Sequence, residues 1–315
     1  MFALRGIAVS LTFFVLLYCG LSALVAFAWH SVKVLRARER SIARTLFSLR
    51  ILPIAASVVI TLAFVVPSFQ MLEPRSMDID EGMGAIPFAL GICALVLIVW
   101  GCFRVIVAQT KTTSVVARWL DRAHPLNVDA AAQMVTLRAT GDIPPLTLVG
   151  VRRPRVLVSE STVALLSRDE LRIALKHEFA HMKSRDNLKK LVFRCCPFPG
   201  MATLESAWSQ AAELAADDAA VSSLDDAVDL AAALVKLSRL VPVEAAPVCT
   251  VGFVTGSIGA RVARLLAWNE RCQSQPHRGR LWYLIPAALA ALSCVCVTYG
   301  PALVLTHEMT EWLVR

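Results

Sequence analysis

Residues 175–186 read LKHEFAHMKSRD, with His177 and His181 four apart and Glu178 beside the first, in a chain with six histidines in all. On a helix, residues four apart share a face, so both imidazoles can turn toward one cation. Glu178 is one position on, rotated by about 100° from His177, and projects beside such an ion without ligating it. A general base sits there to take a proton from an attacking water. A catalytic zinc needs a third protein ligand and one open position. Glu213 and Asp217, again four apart, fall on a second Ala-rich stretch, AAELAADDAAV. Glu213 can complete a His-His-Glu set, and Asp217 can accept the second ring N–H of a ligating histidine and fix its orientation. The expected cofactor is therefore one Zn2+ ion, held by His177, His181 and Glu213, with Glu178 as base and Asp217 behind the ligands.

The elements that must carry these residues are legible around them. Ser167 and Glu170 form an S-x-x-E capping box, which starts a helix. Leu171, Ala174, Leu175, Glu178, Phe179 and Met182 then follow at helical spacing. Before it, Leu146–Val149 and Val156–Val158 flank a turn with Arg152, Arg153 and Pro154, which predicts a hairpin or two neighbouring strands. Further helices are expected over Leu204–Ser222, Ala227–Leu240 and Gly259–Trp268. Thr112–Ala139 reads as helical with a break at His124-Pro125. Strands and helices without regular βαβ alternation indicate a small α+β domain.

The chain around this domain is too apolar for a soluble protein: 315 residues, 57% apolar, mean hydropathy +0.60. Four runs reach the roughly 20 residues needed to cross a bilayer: Ile7–Trp29, Ile51–Leu72, Ala85–Val107 and Trp282–Leu305. Ala26-Phe27-Ala28 resembles a signal-peptide cleavage site. Yet the first run exceeds a usual signal core of about 7–15 residues, and its positive charge follows rather than precedes it. Between runs one and two, Lys33, Arg36, Arg38, Arg40, Arg44 and Arg50 face Glu39 alone, a net of +5. Between runs two and three, Arg75 faces Glu73, Asp78, Asp80 and Glu81, a net of −3. Basic loops stay in the cytoplasm. The expected topology therefore has the N-terminus outside and the segment Arg104–Arg280 in the cytoplasm, in a multi-pass protein of the plasma (inner) membrane. The domains divide as a membrane region over 1–110, a cytoplasmic domain over 111–280, and a last span with a short outer tail over 281–315.

The overall charge of +8 is then explained by orientation and anionic lipid rather than nucleic acid. Among the nine cysteines there is no C-x-x-C pair. Adjacent Cys195 and Cys196 lie in the apolar LVFRCCPFPG and read as packing residues rather than ligands, with thiols kept reduced in the cytoplasm. No charged residue lies deep in any apolar run, which argues against a four-span transporter.

HEFAHMKSRDN followed by ELAADDAAV resembles the BlaR/MecR family of integral-membrane zinc peptidases, which pair HExxH-x-x-x-RD with a downstream E-L-x-x-D-D. HtpX-type and CAAX-prenyl-type membrane proteases share the same logic more distantly. The resemblance covers about Ile7–Leu305, although its strong motifs span some 50 residues. It implies a multi-pass helical membrane protein with a cytoplasmic α+β zincin-like metalloprotease domain. It implies zinc ligation by His177, His181 and Glu213, catalysis by Glu178 and support from Asp217. The implied substrates are cytoplasmic or membrane-associated proteins, such as a BlaI/MecI-like repressor or the protease itself, in signal transduction. The β-lactam-sensing members carry a large outer sensor after the last span; here Thr306–Arg315 follow it, so any stimulus is expected to act on the spans, the outer loops or a sensor partner.

The expected reaction is peptide-bond hydrolysis, with a substrate strand added along the edge of the Leu146–Val158 strands. Arg261, Arg264 and His277 are candidates for the oxyanion partner, and each is equally accounted for by packing, lipid or solvent. Asp186 reads as a helix-end cap or ion pair, Asp218 as either a brace or a solvated residue, and Lys176, Lys183 and Arg185 as a solvated face. Two rival functions use the same residues: a quality-control protease for damaged membrane proteins, and a non-catalytic membrane scaffold. The intact Glu178 speaks against the scaffold.

Overall fold

The computed structural model describes residues 2–31, 39–73, 84–121, 123–125, 136–139, 143–151, 154–240, 251–252, 258–268 and 298–312. Its helices are α1 (Phe2–Ser31), α2 (Glu39–Ile60), a π-helical turn (Thr61–Val65), α3 (Val66–Leu72), α4 (Ala85–Leu120), α5 (Glu160–Leu165), α6 (Arg168–Ser184), α7 (Asp186–Cys195), α8 (Ala202–Ala220), α9 (Leu224–Ser238) and α10 (Ile258–Leu266). A further helix, α11, covers 298–312. The strands are β1 (Ala123–Pro125), β2 (Thr136–Ala139), β3 (Leu146–Val149), β4 (Arg155–Ser159) and β5 (Val251–Gly252). The chain separates into two units: Met1–Ser31, Ile51–Trp100 and Ser274–Arg315 in one, Val32–Arg50 and Gly101–Gln273 in the other.

The described part of the first unit is almost wholly helical. Phe2–Ser31, Ile42–Leu72 and Ala85–Leu120, the last two of which continue into the second unit, are each long and apolar enough to cross a membrane, and a helix satisfies most of its backbone internally, as lipid requires. Ile7, Leu24, Phe27, Leu62, Ile86 and Leu95 leave large apolar side chains exposed, as expected of faces turned to lipid. Of the fourth expected span, residues 282–297 lie outside those described, as does His277. The π turn has a local cause. Pro67 has no N–H and cannot bond back to Ala63. The freed Ala63 carbonyl accepts instead from the Tyr299 hydroxyl at 2.9 Å.

The second unit holds a five-stranded mixed sheet in the order β1-β2-β4-β3-β5. The expected hairpin is present: β3 and β4 pair antiparallel, with Leu146 opposite Val158 and Leu148 opposite Val156. One sheet face buries Leu146, Leu148, Val156 and Val158 against α6, α9 and the end of α8. The other packs Val149 and Leu157 against Val116, Trp119 and Leu120 of α4. Two expectations need correction. The helical reading of Thr112–Ala139 holds only to Leu120. Beyond it, 123–125 and 136–139 are strands, because β2 finds a parallel partner in β4 that no local periodicity encodes. The hairpin edges proposed for a substrate strand are both paired, β4 with β2 and β3 with β5 through Thr147–Gly252 and Leu148–Val251.

Candidate metal centre

Helix α6 starts where its cap predicts. Ser167 Oγ accepts the Glu170 N–H at 3.2 Å, and Glu170 Oε2 accepts the Ser167 N–H at 2.8 Å. Because Leu171, Ile173, Ala174 and Leu175 are all buried, α6 is locked against the sheet and α9. That fixes the rotation of the helix, and with it the direction of the two histidines one turn later. Helix α8 packs beside α6 and delivers Glu213, with the small side chains of Ala212 and Ala216 buried on either side of it in the sequence.

His177, His181 and Glu213 converge, with one ligand atom from each inside 4.8 Å of the others. The two Nε2 atoms are 3.1 Å apart, and each lies 3.6 Å from an oxygen of Glu213. With metal–ligand bonds of about 2.0–2.2 Å, tetrahedral ligand atoms are spaced about 3.3–3.6 Å. The donor set thus fits a small divalent ion. All three residues are at most 3% exposed, so an ion here would sit in a dry, low-dielectric pocket.

A ring of charge stands behind the ligands. Asp217 Oδ1 lies 3.0 Å from His177 Nδ1. Asp186 Oδ2 lies 2.8 Å from His181 Nδ1. Burial alone would raise both carboxyls, but the histidines, with Arg261 on Asp217 and Lys189 on Asp186, hold them below their ordinary value. An ionised carboxylate only accepts, so His181 Nδ1 is the donor to Asp186, the close contact of Asp217 favours the proton on Nδ1 of His177 as well, and each Nε2 is left to face the ion. Arg261 of α10, itself 3% exposed, forks onto Asp217 at 2.8 and 2.6 Å and donates to Glu213 at 2.9 Å. Glu213 is held well below the carboxylate range: burial opposes this, and His181, His177 and Arg261 more than offset it. The same cage draws positive charge onto His181. Burial again opposes, yet Glu213 and Asp186 would carry its pKa up to about 10 were a proton the only cation there.

Glu178 is fully buried, and neither carboxylate oxygen has a hydrogen-bond partner among the described residues. Burial raises its pKa to about 7, against the pull of His181 and His177. A carboxyl at that value can both take and return a proton near neutrality.

The five residues expected from the sequence therefore come together. Of the two roles expected for Asp186, the ion pair is present, with Lys189 at 2.8 Å; the residue also opens α7 and orients His181. What brings it there is Arg185, in the left-handed conformation (φ 56°), which ends α6 and starts α7 in one residue. Asn187 then pins α7 to the sheet by donating to the carbonyls of Leu148 and Gly150, both at 3.1 Å. Arg261, expected only as one of several loose candidates, is a buried brace of the ligand set. Arg264 and Asp218 instead pair with each other at 2.7 Å near the surface. Burial raises the Cys196 thiol to about 11, in keeping with a packing role.

No curated protein matches the chain. The sequence profile of one family does, described as BlaR1 peptidase M56, over residues 5–265. That range runs from α1 through the histidine helix and Glu213 to α10, more than half of the chain, and the protein belongs to the BlaR1 peptidase M56 family.

Proposed function

We propose that the protein is a membrane-embedded zinc-dependent endopeptidase. The observation that carries this reading is the convergence of His177, His181 and Glu213 on one buried point, beside a Glu178 carboxylate that has no hydrogen-bond partner among the described residues. His177, His181 and Glu213 hold the ion. When bound, zinc supplies a Lewis acid for the scissile carbonyl and lowers the pKa of water toward about 7. Glu178 accepts the proton of the attacking water and passes it to the leaving amine. Asp217 and Asp186 keep both imidazoles in the ligating tautomer. Arg261 holds the Glu213 and Asp217 carboxylates in place against their mutual repulsion.

The family supports cytoplasmic or membrane-associated proteins as the substrate class, including a repressor of the BlaI/MecI kind or the chain itself, in regulated proteolysis. The charge asymmetry of the loops supports a cytoplasmic site in the plasma membrane.

The test is zinc per chain in detergent-purified protein, together with cleavage of labelled casein and of the chain itself. The parent is expected to lose one zinc equivalent on His177→Ala. Glu178→Gln is expected to keep its zinc and lose cleavage. A His177→Ala protein with unchanged zinc overturns the ligand assignment, and cleavage surviving in Glu178→Gln overturns the base.

A further inference from the structure

The first unit carries a second set of ligating side chains, unrelated to the histidine helix. Glu73 ends α3, its N–H donating to the Phe69 carbonyl at 3.2 Å and its backbone already extended. His307 and Glu311 stand four apart on α11 and so share one face. One ligand atom from each of Glu73, His307 and Glu311 lies within 4.8 Å of the other two. His307 Nδ1 is 3.9 Å from Glu73 Oε2, and His307 Nε2 is 3.6 Å from Glu311 Oε1.

Both separations are too long for hydrogen bonds. One ion can bind only one nitrogen of the ring, so a single one of these separations is a ligand–ligand spacing; each falls within the roughly 3.0–4.2 Å between atoms that share a cation at about 2.1 Å, and the third residue brings its own atom within 4.8 Å of the other two. The 3.6 Å imidazole–carboxylate distance equals those between Glu213 and each histidine of α6. His307 Nδ1 is buried and has no hydrogen-bond partner among the described residues. A buried, unsatisfied ring nitrogen facing a carboxylate wants an explanation, and a bound ion is one. Enclosure is uneven: the Glu73 and His307 side chains are 12% and 15% exposed, while Glu311 at 45% leaves a way in from solvent. Arg5 of α1 approaches the other Glu73 oxygen, Oε1, at 3.5 Å. It orients that carboxylate and leaves Oε2 toward His307. The two carboxylates still outweigh the one guanidinium.

We propose that Glu73, His307 and Glu311 form a binding site for a divalent first-row transition-metal ion of the Zn2+ class. One imidazole with two carboxylates suits such ions better than the all-oxygen shells of Mg2+ or Ca2+, and the absence of thiolate from the set disfavours Cu(I). Occupancy would tie the end of α3 to α11, and through Arg5 to the start of α1. On the orientation proposed above, the site faces the extracytoplasmic side.

The inference is independent of the peptidase reading, and one experiment separates them. Tag-free, detergent-purified full-length protein is stripped with chelator, loaded with Zn2+, dialysed and assayed for metal per chain. His307→Ala and the exposed-side variant Glu311→Gln are each expected to hold one equivalent less than the parent. Loading with Co2+ in the His177→Ala background gives a second readout, a visible absorption band that His307→Ala removes. Zinc content unchanged in both His307→Ala and Glu311→Gln overturns the site and leaves His307 as an ion-paired histidine. Loss of metal in His177→Ala alone supports the peptidase centre and overturns this one.

Discussion

Each histidine of α6 is backed by its own carboxylate, and the two carboxylates differ in how the chain supplies them. Asp217 follows Glu213 by one helical turn, so a single helix brings both ligand and brace. Asp186 follows His181 by five residues, a spacing no continuous helix turns inward, and reaches it only through the left-handed Arg185. The first relation is readable from sequence and the second is not. Arg261 is further still from local logic, 44 and 48 residues after the carboxylates it grips. Outer partners of this kind change metal affinity by about 10–100-fold. Asp186→Asn and Asp217→Asn are each expected to weaken zinc binding by that order, measured by competition with a chelator, while the fold persists. Asparagine keeps the shape but offers no full charge, so equal affinity in parent and variant would deprive that carboxylate of its positioning role.

At the level of elements, α6 carries its own start signal, and the cap is also an electrostatic joint. Glu170 accepts the Ser167 N–H and, through both oxygens, the Lys236 ammonium of α9 at 2.7 Å. Burial alone would raise the Glu170 pKa, but Lys236 and the Ser167 amide bring it below its ordinary value of 4.5. A depressed folded pKa means the unfolded chain binds the proton first. The stabilisation is therefore complete above about 4.5 and is lost as pH falls through the lower folded value. The melting-temperature gap between parent and Glu170→Gln is expected to be constant from pH 8 to 5 and to close below that. Its size should be modest, within about 1 kcal/mol, since Lys236 is 40% exposed. A gap that widens in acid would contradict the assignment. Where the sequence misleads is β1 and β2. Strands of three and four residues are stabilised by pairing across the sheet, and β2 gains its place from β4, which lies some 20 residues on. The hairpin and the capped helix were legible because their partners are neighbours in sequence.

At the scale of the whole molecule, the arrangement of spans is readable from apolar length, and their direction only from charge. Among the described residues three candidate spans are present, at Phe2–Ser31, Ile42–Leu72 and Ala85–Leu120. The structure refines the charge argument at one residue. Arg50, counted with the basic loop, is 1% exposed and donates to Glu205 at 2.8 Å and to the carbonyls of Phe193 and Cys196 at the end of α7. It is a structural cation and contributes little to lipid contact. Lys33, Arg36, Arg38, Arg40 and Arg44 still outnumber Glu39, against the acidic stretch from Glu73 to Glu81. Orientation follows such basic residues near the membrane rather than net charge over long domains. In right-side-out vesicles, external protease is therefore expected to remove a tag placed after Arg315 and to spare the 104–280 segment, which becomes cleavable only after permeabilisation. Replacing Arg36, Arg38, Arg40 and Arg44 together with Glu should weaken that protection, whereas the same number of changes among Arg168, Arg172, Lys176 and Lys183 should not, because those lie far in sequence from the span ends. Digestion of the segment from outside in the parent would reverse the orientation while leaving the metal centre, built wholly within one unit, untouched.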